Sequence, residues 1–297
     1  MKTVLLTSCN SYLGYSFAKK FLSEGFKVIG TYRNMNPRVK LLQDRFPKSF
    51  EAFTVDLGIY EDFLNLPTQI DYILHNSATF PWIDVTNEEA IVCNVDGTLN
   101  LAKWIEYKKI SIKVFILIST LSIFGQVDEQ ILDEDCQKKS ENIYGVTKHL
   151  SELIVREEVS AVKKFTIRLP VVLGYSAHRA WIPEAVRKLK KNETVHIFNS
   201  DNKYNSLTTD FQLTNFTSNL FSHSENYNSM DVNIGSSQAI KIIEIVQLLR
   251  SELNSKSELI ETESDSGTYL INNKKAESIG YSPPPVIDAL HYYVNSL

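Results

Sequence analysis

Residues 3–14 read Thr3-Val4-Leu5-Leu6-Thr7-Ser8-Cys9-Asn10-Ser11-Tyr12-Leu13-Gly14, and they decide the fold. A short β-branched and apolar run passes through a polar turn into a segment whose apolar residues recur with helical period as far as Ser23. A strand feeding a helix in this way opens a parallel α/β sheet, and the free N–H groups at the helix start face any anion beyond the strand end. The turn has the spacing of a TGxxGxxG dinucleotide-binding loop, with Ser8 and Ser11 at the first two glycine positions and Gly14 at the third. Gly14 lets helix and strand pack closely, whereas Ser8 and Ser11 put Cβ atoms where the backbone approaches phosphate. Thr7, Asn10, Ser11, Tyr12 and Leu13 are the candidate cofactor-facing residues of this loop.

The pattern continues outward. Strands are expected at Lys27–Thr31, Glu51–Val55, Asp71–His75, Lys113–Ser119 and Phe165–Leu169. Helices that bury one face are expected at Leu13–Ser23, Asn87–Tyr107 and Tyr144–Ser160. This alternation predicts a doubly wound, Rossmann-like α/β parallel sheet over residues 1–169. After Leu169 the alternation is broken by Pro170, Gly174, Pro183 and the polar tract Asn199–Asn205. A smaller lobe that binds substrate is expected over 170–297, with segments such as 205–235 returning to the first domain. Ser251–Gly267 reads as a solvated helix end and loop, and Pro283–Pro285 precede a last short helix.

Composition bounds the function. The 297 residues are 43% apolar, enough for a large core, and 31 basic against 35 acidic side chains leave a net charge of −4. Charges of both signs are interspersed, so no basic footprint for nucleic acid exists. Apolar runs such as Val114–Ile118 are far shorter than the roughly 20 residues that span a bilayer. The first residues read as a strand rather than a signal peptide, and Cys9, Cys93 and Cys136 are isolated thiols, so a cytoplasmic, disulfide-free protein is expected. The six histidines form no HxxxH or HExxH pair, and no metal site is expected.

In an open α/β sheet, ligands lie beyond the carboxyl ends of the strands, so the residues after each strand carry the chemistry. The second strand runs into Arg33 with no acidic residue to bind a ribose 2′-hydroxyl, which favours NADP over NAD. Asp56 and Leu57 follow the third strand, where Asp56 is placed to accept from an adenine amino group or to cap a helix. His75 ends the fourth strand and reads equally as a core histidine; the small residues Asn76, Ser77 and Ala78 after it leave room for a nicotinamide ribose. The fifth strand reaches Ser119, Thr120 and Ser122, and the next helix carries Tyr144 and Lys148, four apart on one face. A nearby ammonium lowers a phenol's pKa from about 10, and a threonine hydroxyl orients a carbonyl oxygen, so Thr120, Tyr144 and Lys148 form a general acid/base set. Tyr15 and Lys19 share the spacing but have no strand end in reach. Asn94, in the preceding helix, is placed to hold a backbone group or water in a proton relay.

The ordered signals resemble the extended short-chain dehydrogenase/reductase family, the nucleotide-sugar epimerases, dehydratases and reductases. They comprise the loop at 7–14, VDL at 55–57, HNSA at 75–78, NVDGT at 94–98, STLSIFG at 119–125, YGVTK at 144–148 and RLPVVLG at 168–174. Thr209-Asp210, Asn233-Ile234-Gly235 and the stretch from Lys274 to Pro283 extend the resemblance over nearly the whole chain. It implies Tyr144 as acid/base, Lys148 as its ribose-binding partner, Thr120 as the hydroxyl that positions substrate oxygen, and Asn94 in support. It also implies cofactor contacts from Ser119 and Pro170. The second lobe would close over a nucleoside-diphosphate sugar, with Ser122, Arg179 and Lys203 as candidate substrate contacts. Helices 87–107 and 144–160 would pair in a homodimer, for which Trp104 and Leu153 are candidate exposed residues.

Where the 4,6-dehydratase branch places an acidic pair after the threonine, this chain has Leu121 and Ser122, so elimination lacks its acid and base. Hydride chemistry remains. Arg33 tilts the expectation to NADPH-dependent reduction of a 4-keto sugar nucleotide, with a 4-epimerase using bound NAD(P) as the alternative. A non-catalytic NADP sensor or scaffold is the competing class, motivated by the substituted glycine loop.

Overall fold

The computed structural model of the chain describes residues 1–80, 85–178, 180–262 and 267–297. From the start to Gly125 the elements are β1 (Thr3–Leu6), α1 (Tyr12–Ser23), β2 (Lys27–Tyr32), α2 (Pro37–Arg45), β3 (Phe50–Thr54) and α3 (Tyr60–Phe63). Next come β4 (Tyr72–His75), α4 (Asn87–Ile91), a π-helical turn (Val92–Asp96), α5 (Gly97–Tyr107), β5 (Ile112–Thr120) and a 3-10 turn (Leu121–Phe124). The chain continues through β6 (Ile131–Leu132), α6 (Ile143–Glu158), β7 (Ala161–Leu169), β8 (Val171–Leu173), α7 (Trp181–Lys190), β9 (Val195–Phe198) and β10 (Lys203–Tyr204). It ends with β11 (Leu207–Thr209), α8 (Asp210–His223), β12 (Met230–Asn233), β13 (Ile240–Lys241), α9 (Ile242–Glu252), β14 (Leu259–Thr262), β15 (Leu270–Ile271), α10 (Lys274–Ser278) and α11 (Val286–Asn295).

Two compact units result: Met1–Gly125 with Gln137–Arg168 and Thr214–Val232, and Gln126–Cys136 with Leu169–Leu213 and Asn233–Leu297. Gln126–Cys136 therefore clusters with the later residues, although it lies inside the 1–169 span read from the sequence.

The first unit is built on a seven-stranded sheet in the order β12-β7-β5-β4-β1-β2-β3. β1 pairs in parallel with both β2 and β4, so the winding reverses beside β1 and leaves a crevice at the carboxyl ends of β1 and β4. Central strands covered on both faces are largely apolar, and all four residues of β1 are buried. On one face, Leu5, Ile73 and Phe115 pack with Leu101, Trp104, Ile105 and Val155 of α5 and α6. On the other, an aromatic cluster joins α1 to α8: Phe21 and Tyr72 meet the Phe221 ring at 5.3 and 4.8 Å. Trp104, a candidate exposed interface residue, has no exposed surface; the large apolar ring is worth more in the core than at an edge.

The predicted helix 87–107 is α4, a π turn and α5 in succession. A capping box starts it: Thr86 takes the Glu89 N–H, and the Glu89 carboxylate takes the Thr86 N–H.

The second unit packs α7, α9 and α11 around Leu173, Ile182, Leu189, Ile197, Leu207, Ile245, Leu249 and Leu290. Its strands form two-stranded pairs, β8 with β11, β9 with β14 and β6 with β15 in parallel, and β10 with β13 antiparallel.

Candidate active site

The loop after β1 turns because Ser8 adopts φ 53°, the left-handed region where the corresponding motif position carries glycine. Gly14 is obligatory for a different reason: a Cβ there would lie 2.0 Å from the Ser8 carbonyl oxygen. Both substituting serines turn their hydroxyls back into the protein. Ser8 Oγ pairs with Ser77 Oγ at 2.7 Å, and Ser11 Oγ donates to the Ser8 carbonyl at 2.9 Å while accepting from the Gly14 N–H at 3.0 Å. Ser11 is thus the N-cap of α1, and Asn76 Nδ2 donates to the same hydroxyl at 3.1 Å. Tyr12 and Leu13 open α1. Asn10 reaches sideways, donating to the Asn34 carbonyl at 2.9 Å and accepting from Asn36 Nδ2 at 2.8 Å, and so ties the loop to the chain after β2. Arg33 follows β2 and is exposed.

Thr7 anchors the crevice floor. Its Oγ1 accepts from the Asn76 and Ser77 N–H groups at 2.9 and 3.0 Å, so its own proton goes to His75 Nδ1 at 3.0 Å. His75 Nε2 then carries the ring proton toward Thr98 Oγ1 at 3.1 Å, because the Thr98 hydroxyl donates to the Asn94 carbonyl at 2.6 Å. Burial first, and the Lys148 charge second, push the His75 pKa down to about 3. His75 is a neutral core histidine. Ala78 is half-buried beyond it. Asp56 is occupied by the Gly58 N–H at 3.0 Å, and Leu57 is buried while its carbonyl accepts from Asn100 Nδ2 at 2.9 Å. Asp56 is thus a turn former, not a helix cap.

Asn94 sits in the π turn and holds the backbone of Thr79 at both ends, with Oδ1 accepting from its N–H at 2.8 Å and Nδ2 donating to its carbonyl at 3.0 Å. Nδ2 also donates to Thr147 Oγ1 at 3.0 Å, and Thr147 donates to the Tyr144 carbonyl at 3.0 Å. Asn94 supports the helix turn that carries Tyr144 and has no bond to the phenol itself.

Asn142 caps α6 by accepting the Gly145 N–H at 2.8 Å. A Cβ at Gly145 would fall 2.3 Å from the Ser122 carbonyl, so this glycine brings the start of α6 against the turn after β5. Tyr144 then comes beside Thr120, whose hydroxyl favours the ionised phenol. Thr120 Oγ1 donates to Ser122 Oγ and accepts from the Ser122 N–H, each at 3.1 Å. Ser122 is thereby a partner of Thr120. The Phe80 ring stacks on Tyr144 with centroids 4.1 Å apart.

Burial raises the Tyr144 pKa above its usual value, and the Thr120 hydroxyl only partly offsets this. Sequence reasoning expected the Lys148 ammonium to pull the phenol down; burial instead holds it above its usual value, and the phenol is neutral. Lys148 is 1% exposed, and burial lowers its pKa to about 8 against the opposing influence of Cys93 and then Glu152. Among the described residues no hydrogen bond or ion pair reaches its Nζ. A buried ammonium needs acceptors, and the hydroxyls of a cofactor ribose are acceptors of the right kind, so the donor set fits a dinucleotide.

The first unit gathers Thr7 to Leu13, Arg33, Asp56, Leu57, Asn76 to Ala78, Asn94, Ser119, Thr120, Ser122, Tyr144 and Lys148. Ser119 is buried and donates to Glu152, so its hydroxyl is already committed. Pro170 and Lys203 belong to the second unit, where Lys203 is an exposed residue of β10 in register with Lys241. Arg179 lies outside the described residues. Sequence reasoning missed Phe80 and Glu152. Glu152 did leave a signal, falling one further helical step beyond Tyr144 and Lys148 on the same face.

A doubly wound sheet with a dinucleotide-type loop at its reversal point, followed by a Thr, Tyr and Lys set at the next strand end, defines an extended short-chain dehydrogenase/reductase. The profile of the NAD dependent epimerase/dehydratase family matches residues 4–207, and the chain belongs to that family. It is 22% identical to an uncharacterized protein of Methanocaldococcus jannaschii, over 97% of this chain and 93% of that one. It is 25% identical to the UDP-glucose 4-epimerase of Haemophilus influenzae, over 56% of this chain and 51% of that one. Its fold is similar to that of the UDP-glucuronic acid 4-epimerase from Bacillus cereus, solved with UDP-glucuronic acid and NAD: the TM-score is 0.80 and the identity 18%, over 99% and 98% of the two chains.

Proposed function

We propose that this protein is an NAD(P)-dependent oxidoreductase acting at C4 of a nucleoside-diphosphate sugar. The observation that carries the reading is the Tyr144 phenol beside the Thr120 hydroxyl at the end of β5, one helical turn from the buried Lys148. The nicotinamide, when bound, supplies the reversible hydride acceptor for the C4 carbon. Tyr144 exchanges its proton with the C4 oxygen, and a neutral phenol suits the direction in which that oxygen must be protonated. Thr120 holds the oxygen acceptor in line with the phenol. Lys148 binds the ribose hydroxyls. Leu121 and Ser122 offer no carboxylate after Thr120, which disfavours a 4,6-elimination.

Two outcomes share this chemistry. A 4-epimerase, which reoxidises and re-reduces the sugar with the cofactor retained, is supported by the names of the Haemophilus and Bacillus proteins. Net reduction of a 4-keto sugar nucleotide with NADPH is supported by the exposed Arg33 after β2, a cation of the kind that would pair with a 2′-phosphate. The test is incubation with a panel of UDP- and dTDP-sugars and their 4-keto derivatives, following reduced-nicotinamide absorbance and the C4 configuration of the product. An epimerase inverts C4 without net consumption of cofactor; a reductase consumes one reduced cofactor per product. Failure of both NADPH and NADH to bind at high micromolar concentration leaves only a non-catalytic scaffold.

We also propose a cytoplasmic homodimer built on α5 and α6. Val146, Leu150 and Leu153 form an exposed apolar row on α6, and Tyr107 is exposed at the end of α5. No helix among the described residues is long and apolar enough to cross a membrane.

A further inference from the structure

Glu152 follows Tyr144 and Lys148 on one face of α6, at steps of four residues, and is 2% exposed. Its Oε1 accepts from Ser119 Oγ at 2.6 Å and from Arg168 Nε at 3.0 Å, and its Oε2 accepts from Arg168 Nη2 at 2.9 Å. This is a two-pronged, charge-assisted pair with almost no access to solvent. The same guanidinium lies over the Phe124 ring, 5.4 Å from its centroid, and donates to Asp231 Oδ2 at 3.1 Å. Ser119 precedes Thr120, and Phe124 closes the turn that follows it. Glu152 therefore reaches both ends of the Thr120 turn, directly at one and through Arg168 at the other.

Buried ion pairs of this kind seldom raise stability over well-packed apolar residues of similar volume, because desolvating both charges offsets their attraction. What the pair adds is register between elements. We propose that Glu152 is a positioning residue, which locks the Thr120 turn against the face of α6 that carries Tyr144 and supplies a fixed negative charge one turn from Lys148. The inference rests on the reading of Lys148 as the ribose-binding ammonium.

The other groups around Lys148 are Tyr144 on its own helix, Cys93 from the π turn and His75 from β4; His75 is neutral. Beyond Glu152 stand Arg168, with Lys138 and His149 sensing the same carboxylate. Glu152 opposes the burial that depresses the Lys148 pKa, so removing its charge lowers that pKa further. A Lys148 that loses its proton at lower pH releases the ribose at lower pH.

The experiment is fluorescence titration of NADH between about pH 6.5 and about pH 9.5, with a thermal melt of every variant. Wild-type affinity declines as pH rises through the Lys148 midpoint near 8. In Glu152→Gln the midpoint moves down by about one unit, so NADH binds about fivefold more weakly than to wild type near pH 8 and within about twofold at pH 6.5. Glu152→Asp, which keeps the charge, restores the midpoint. The double variant Glu152→Gln with Arg168→Gln leaves no unpaired buried charge, and if the single variant does not fold it reports a shift in the same direction but smaller, because loss of the Arg168 charge beyond Glu152 partly offsets loss of the carboxylate. A purely structural role lowers the melting temperature and leaves the midpoint in place. Profiles that superimpose on wild type in either folded variant overturn the inference, while a wild type that binds neither NADH nor NADPH at any pH overturns the underlying reading and the inference with it.

Discussion

The Phe80 ring lies stacked on the ring of Tyr144, with centroids 4.1 Å apart and planes inclined by 26°. Asn94 holds both polar groups of the Thr79 backbone and thereby the residue before Phe80, so the stack is placed by the same side chain that supports the Tyr144 turn. Burial is what raises the phenol's pKa, and Phe80 is part of that burial. Phe80→Ala is expected to move the Tyr144 titration down toward its ordinary value of about 10. Tyrosinate absorbance measured with and without Tyr144→Phe checks it; a titration unchanged by Phe80→Ala refutes the role of the stack.

Gly145 stands where a Cβ would meet the Ser122 carbonyl at 2.3 Å and Ser140 Oγ at 2.1 Å. Gly145→Ala must push α6 away from the Thr120 turn. A stability loss of ~1–3 kcal/mol is expected, with turnover falling by more than that loss accounts for because Tyr144 and Thr120 separate. Denaturant melts beside initial rates measure both. Full activity in a folded Gly145→Ala protein contradicts the role given to this glycine.

His75 carries an acid sensitivity. Its folded pKa of about 3 lies below the unfolded value near 6.5, so the unfolded chain binds the extra proton between those values and stability falls as pH drops through that window. By about pH 4.5, two units below the unfolded value, this one ring costs ~2.7 kcal/mol. Melts of wild type and His75→Gln across about pH 7 to 4.5 are expected to diverge in slope, the variant being flatter. Parallel slopes exclude His75 as the source.

Ser8 holds a left-handed backbone, φ 53°, in place of glycine. Comparing two substitutions cancels the lost Ser77 hydrogen bond: Ser8→Gly is expected to be more stable than Ser8→Ala by ~1 kcal/mol, since alanine retains the strain. Equal stabilities in denaturant melts contradict that account.

The sequence made the strand ends legible because parallel strands buried on both faces are written as apolar runs, and the polar residues after them stand out. Thr7, Asn76, Ser77, Thr120 and Tyr144 were found that way, and the structure brings them into one unit. The π turn at 92–96 was hidden, since one added residue per turn barely disturbs an apolar period over so short a span. The spacing of Glu152 was legible but its burial was not: a glutamate in a charged helix reads as solvated, and only the distant Arg168 and Ser119 make its burial tolerable. Trp104 illustrates the reverse, a ring read as a candidate surface contact that the core encloses. The pKa of Tyr144 depends on how much protein covers it, which residue spacing does not encode.

The central claim is that Tyr144 exchanges a proton with a nucleotide sugar while a nicotinamide cofactor takes or gives the hydride. The direct measurement is turnover of the best substrate from the nucleotide-sugar panel by wild type and by Tyr144→Phe, with NADH affinity measured on the same preparations. The account predicts a loss of at least about 100-fold in kcat with affinity for NADH kept within about twofold. Turnover by Tyr144→Phe equal to that of wild type would contradict it.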